Sequence, residues 1–291
     1  MKKLLLAVVL IVGGLLILRQ VTRKSLPSLS SSEGVRIVSL SPTLTEVLFE
    51  LGEGGQIVGV TNYCTYPPEA RAKAKVGDLV NPDLERIAQL RPSIIFAEQW
   101  SSTKIVSRLR NLGLKVTEVP SPRSIEEIYR LIESVGEQVG KAGRAREIVS
   151  DMSARILAVK EKASQFEHHP TIYVEIDIPS WSVGRASYTH EAVTLCGARN
   201  LLEDVDKPAL LVSQEVIIQR NPEVILSFEA SAEQIRKRPG WGVISAVQRG
   251  WIIDHFNRDL LSRGNFRLVQ GMENFQSRLE SLLKREARSS P

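Results

Sequence analysis

Short β-branched runs alternate with helical periodicity along most of this chain. Arg36–Leu40, Gln56–Thr61, Ser93–Ala97 and Leu114–Val119 read as strands. Between them, Thr43-Leu-Thr-Glu46 has the pattern of a capping box opening a helix to Leu51, closed by Gly52. Asn81-Pro82 places a cap residue before a proline and starts a helix that Pro92 breaks. Lys104–Leu112 is a third helix, ended by Gly113, and Ser124-Ile-Glu-Glu127 is a second capping box. Strand and helix in strict turn predict a parallel sheet covered by helices, the α/β class.

The second half repeats the order. Thr171–Ile176 and Val224–Phe228 read as strands, Tyr188–Leu195 as a helix closed by Gly197, and Ser213 as the cap of a helix to Arg220. Trp251–His255 is a last strand, and Phe266–Lys284 a last amphipathic helix. Spacings recur too: Glu46 to Gly52 matches Glu191 to Gly197, and Glu85 to Pro92 matches Glu215 to Pro222, with a strand after each proline. These repeats predict two lobes of similar topology. Between them, Val139, Ala142, Ala145, Ile148, Val149, Met152, Ile156 and Val159 keep helical spacing against a charged opposite face. The expected organisation is a first lobe over 33–136, one long connecting helix over 137–168 and a second lobe over 169–291. A helical connector resists hinge opening far more than crossing strands would.

Charge changes the picture at the N-terminus. The net charge of +5 is carried by Lys2, Lys3, Arg19, Arg23 and Lys24, and the rest of the chain is formally neutral, which excludes the footprint of a nucleic-acid binder. An uncharged 15-residue run, Leu4–Leu18, follows the two lysines and reads as a signal peptide or a membrane anchor. No small-residue cleavage site and no lipidation cysteine follow it, so residues 1–32 are expected to export the chain and tether it to the outer face of the cytoplasmic membrane.

The stretches RIVSLSPTLTEVLFELG, VGVTNYCTYPPEA and NPDLERIAQLRPSIIFA, then YTHEAVTLCGARNLLED and SQEVIIQRNPEVIL, resemble in order the class III periplasmic substrate-binding proteins of ABC importers. The resemblance covers about 33–285, and Tyr63 to Pro68 is most similar to the cobalamin-binding branch. It implies two Rossmann-like lobes joined by a helix, with a corrinoid such as cobalamin carried in the cleft between them and delivered to a membrane permease and ATPase. It places Tyr63, Asp259 and Arg263 at ligand-contact positions. It also implies that Glu85 and Glu215, one per lobe, dock on the permease. Ferric siderophore or haem is the alternative cargo, and an envelope sensor or scaffold that kept the fold is the alternative class. Lys207-Pro208-Ala209 and Asp78-Leu79 stand where cobalamin binders carry aromatics, so a less aromatic pocket is expected.

Aromatic residues are only 5% of the chain, so those in loops at strand ends stand out. Tyr63, Tyr66, Trp100 and Trp181 could wall a flat apolar ligand whose rim is fixed by Asp259 and Arg263. With four histidines, none in the first lobe, and two cysteines, Cys64 and Cys196, a metal centre or iron–sulfur cluster is not expected. Neither G-x-S-x-G nor a P-loop motif occurs, so the chain is read as a monomeric binding protein without covalent cofactor, not as an enzyme.

Overall fold

The computed structural model describes residues 34–78, 80–99, 103–177 and 180–289. The chain divides into two units at Val35/Arg36, and the second unit holds every described strand and helix. The expected export segment, residues 1–32, and Trp100 lie outside the described residues.

Strand β1 (Ile37–Ser39) is buried at all positions, as expected of a strand covered on both faces. It leads into α1 (Pro42–Glu50), then β2 (Ile57–Val60), β3 (Ala74–Lys75), α2 (Leu84–Gln89), β4 (Ile94–Glu98), α3 (Thr103–Asn111) and β5 (Val116–Val119). These strands form one sheet in the order β3-β2-β1-β4-β5, and every pairing is parallel. Val38, Ile87, Ile95, Val106 and Leu109 share a core under α2 and α3.

Two helices follow, α4 (Ile125–Gln138) and α5 (Ala142–Ala163), packed against each other. The expected connector over 137–168 is therefore shorter, 22 residues and roughly 33 Å long. The apolar spacing runs on through Val139, but Gly140 adopts a left-handed φ of 73° and separates the two helices.

The second sheet holds β6 (Thr171–Glu175), β8 (Arg199–Asn200), β10 (Val224–Ser227) and β11 (Ile252–Ile253) in the order β11-β10-β6-β8, again all parallel. A small antiparallel pair, β7 (Trp181–Ser182) and β9 (Leu210–Leu211), lies beside it. Helices α6 (Tyr188–Leu195), α7 (Gln214–Arg220), α8 (Ala232–Arg236), α9 (Ser245–Arg249), α10 (Asp259–Ser262) and α11 (Leu268–Ser289) complete the lobe. Its core centres on Trp241 and Tyr173, edge to face at 6.2 Å. Beside them the fully buried Glu175 carboxylate is neutralised by both arms of Arg238, at 2.6 and 2.9 Å. Among the described residues the chain passes from the first sheet to the second once, through α4 and α5.

The capping residue differs from the sequence pattern at two helices. Ser41, not Thr43, caps α1, because Pro42 suits the first helical position and the Ser41 side chain accepts from Leu44 N–H. Glu46 is then a mid-helix residue instead of a capping-box partner. Asp83, not Asn81, caps α2.

Candidate functional site

Parallel strands all point their carboxyl ends the same way, and in open α/β sheets ligands bind there. The carboxyl ends of β1, β2, β4 and β5, and the segments that follow them, bring Ser41 and Thr43, Asn62, Tyr63 and Thr65, Glu98, and Ser121 and Pro122 to one wall of a cavity of about 720 Å³. The second lobe supplies the facing wall, with Tyr188 at the start of α6 and Arg258 to Gly264 around α10. Gly264 lets the walls meet: a Cβ there would lie 2.5 Å from Pro122 Cγ and 3.2 Å from the Tyr188 ring.

Both arginines of this cavity are matched by carboxylates. Arg258 is bonded to Glu229. Arg263 donates to Asp259 Oδ2 at 2.9 Å and to the buried carboxylate of Glu46, which reaches it from the first lobe. Glu98 is buried and accepts from Ser121 Oγ at 3.1 Å and from Ser41 Oγ. Burial first, and then the Glu98 charge, push the Tyr188 phenol well above its ordinary value, so it stays protonated and donates to Ser262 C=O at 2.6 Å.

Of the residues singled out from the sequence, Tyr63, Asp259 and Arg263 line this cavity, and Tyr63 is 57% exposed. Tyr66 does not. Arg267 stacks on its ring at 3.7 Å, and it lines a second depression with Phe49 and Phe266. Trp181 is half-exposed on β7, pairs with Leu211 and is not among the lining residues. Cys64 and Cys196 are both free and buried. Cys64 lies 3.1 Å from the hydroxyls of Thr45 and Thr61, and Cys196 donates to Met272 C=O at 3.3 Å. No group of three or more potential metal ligands occurs among the described residues.

Among the polar side chains that shape the site, Glu46, Glu98 and Tyr188 were not singled out from the sequence as site residues. Glu98 carried a usable signal, being a carboxylate at the end of an otherwise apolar strand. Glu46 carried a misleading one, since its spacing from Thr43 imitates a cap.

The sequence model of the periplasmic binding protein family matches residues 37–255, from the first strand through the last. The chain belongs to that family. Among its relatives is the uncharacterized ABC transporter substrate-binding lipoprotein YvrC of Bacillus subtilis, 30% identical over 83% of this chain and 78% of YvrC. Another is the vitamin B12-binding protein of Salmonella paratyphi A, 27% identical over 80% of this chain and 86% of that protein. The solved structure of the haem-binding protein RhuT from Roseiflexus sp. RS-1 has the same fold, with a TM-score of 0.78 and 22% identity over 86% of this chain and 99% of that one. The chain is thus a class III substrate-binding protein of an ABC importer. It is a solute binder and not an enzyme, and such components work with a membrane permease and its ATPase.

Proposed function

We propose that this periplasmic binding protein carries a corrinoid such as cobalamin in the cleft between its lobes, walled by Tyr63 and oriented by Asp259 and Arg263. The observation that carries this reading is the pairing of both lining arginines with carboxylates. Glu98 and Asp259 add acidic oxygen to the same walls. A ligand with carboxylate arms would enter such a cleft without an uncommitted cation to meet them, and burying a charge without a partner is costly. A disc fringed by neutral amides meets acceptors that its N–H groups can use. Haem is the second reading, favoured by the exposed phenol of Tyr63 as a potential iron ligand. Calorimetric titration with cyanocobalamin, haemin and a ferric siderophore decides between them. Micromolar or tighter cobalamin binding supports the proposal, and binding of haemin alone overturns it.

Delivery is proposed to use Glu85 and Glu215. Each is the exposed second residue of a helix capped by the side chain two residues before it, Asp83 or Ser213, and each helix precedes a buried strand of its own lobe. Local backbone and then Ser213 hydrogen bonding hold the Glu215 carboxyl below its ordinary value, so it is charged at neutral pH. One carboxylate per lobe offers a two-point contact to cationic side chains on the permease. The protein is proposed to act as a monomer, exported and held at the outer face of the membrane by its N-terminal segment.

A further inference from the structure

Glu46 lies on α1 with its side chain wholly enclosed, and its partners come from the other lobe. It accepts from Arg263, from Asn265 Nδ2 at 2.8 Å and from Arg267 Nη1 at 3.2 Å, all in the segment joining α10 to α11. Arg267 is committed on two sides, to Glu46 and to the Tyr66 ring 3.7 Å away, and it is nine-tenths buried. Arg263 differs, because it lines the cleft. Its guanidinium is held between Glu46 inside and Asp259 at the cleft wall. The planar fork of an arginine satisfies two carboxylates at once in this way, and the charge a ligand would see is cancelled.

We propose that Glu46 is a specificity-determining residue: by neutralising Arg263 across the lobe interface, it makes the cleft reject ligands that carry carboxylates. The inference rests on the proposed role of the cleft as the site of a corrinoid or porphyrin, but not on which of the two is native. Specificity of this kind works by leaving the wrong ligand's charge unmatched, without needing added attraction for the right one. It assigns the α1 carboxylate a task distinct from holding the lobes together, and the two can be told apart. A purely structural carboxylate, once removed, weakens every ligand alike. A charge filter, once removed, changes the ratio between acid and neutral ligands.

The test uses two ligand pairs that differ only in carboxylates: haemin with its dimethyl ester, and cyanocobalamin with its monocarboxylic acid. Iron coordination and ring stacking cancel within each pair. The wild-type protein is expected to bind the neutral member of a pair at least as tightly as the acid. Glu46→Gln, which keeps shape and removes charge, is expected to move the ratio toward the acid by about tenfold, with the gain lost at high salt. Glu46→Asp, which keeps the charge, is expected to retain the wild-type ratio. If Glu46→Gln does not fold, Asp259→Asn removes the other carboxylate from Arg263 and is expected to shift the ratio in the same direction.

An unchanged ratio in a folded Glu46→Gln or Asp259→Asn protein overturns the proposal, and so does a wild-type preference for the acid. Discrimination within the porphyrin pair but no binding of cobalamin would end the corrinoid reading and leave the charge filter standing. Failure of all four ligands to bind overturns both.

Discussion

Arg155 on α5 grips Glu273 on α11 through two hydrogen bonds, Nε to Oε1 at 2.9 Å and Nη2 to Oε2 at 2.7 Å. One turn further along both helices, Gln276 Nε2 donates to Val159 C=O at 2.7 Å, and beyond that Lys162 meets Glu280 at 2.7 Å. The partners advance together, so α5 and α11 run parallel, and the C-terminal half of the connector is bound to the last helix. Geometry and energy rank these contacts differently. Arg155 and Glu273 are about 40% exposed, and Arg155→Met is expected to cost less than ~1 kcal/mol. Gln276 is buried, and Gln276→Ala is expected to cost about 1–3 kcal/mol. Urea unfolding of the two variants checks the order.

Gly264→Ala places a methyl group against Pro122 of the first lobe and Tyr188 of the second. Overpacking at this contact is expected to cost about 1–3 kcal/mol and to hold the cleft walls apart. Thermal unfolding should show the loss of stability and calorimetry a loss of affinity; full affinity in the variant would show that the walls can shift without consequence.

Tyr63→Ala, unlike Gly264→Ala, is expected to leave stability unchanged. The ring is exposed, so folding stability should stay within ~0.5 kcal/mol of wild type. The lost aromatic face should weaken ligand binding by roughly fivefold to tenfold. Calorimetric titration of the folded variant with whichever of cyanocobalamin and haemin the wild type binds measures it.

Replacing both Glu85 and Glu215 by Gln should leave ligand titrations unchanged, because neither lines the cleft. Uptake by cells should fall, and most at low ionic strength, where charge pairs steer association. Wild-type uptake at low salt would remove these two residues from the docking surface.

Acid should loosen the start of the second sheet. The Glu223 carboxylate accepts from Thr171 N–H and Oγ1, both at 2.9 Å, and lies 2.7 Å from His168 Nε2. Burial pushes its proton affinity up, but the hydrogen bonds from Thr171 and His168 outweigh it, and its pKa is lowered. A carboxyl with a depressed folded pKa stabilises the fold above its unfolded value, about 4.3, and that contribution is lost as pH falls through the folded value. Glu223→Gln should therefore reduce stability near neutrality and flatten its decline below pH ~4.3, as read by unfolding across that range.

The architecture was legible because periodicity and breakers report local conformation. Tyr188–Leu195 is a helix with the limits the pattern gave, and the strands moved by only a few residues. The connector was overextended, since apolar spacing is blind to one left-handed glycine. The cleft was half legible. Tyr63, Asp259 and Arg263 stand in or beside loops where a family pattern can be matched, but Glu46 works through partners more than two hundred positions away in sequence. Trp181 looked suited to a wall by composition, yet pairing with Leu211 takes it into a small separate sheet.

The single crossing between sheets also separates the two walls of the cleft along the chain. Residues 37–119 contain every strand of the first sheet, so that sheet needs nothing synthesised later to pair its edges. The opposite wall comes from farther along the chain: Tyr188 starts α6, and Arg258 to Gly264 lie just before α11, the helix fastened to the connector. A chain shortened before Arg258 would lack the partners of Glu46 and would have no closed cleft. The closed cleft is thereby a property of the two lobes together and of neither alone.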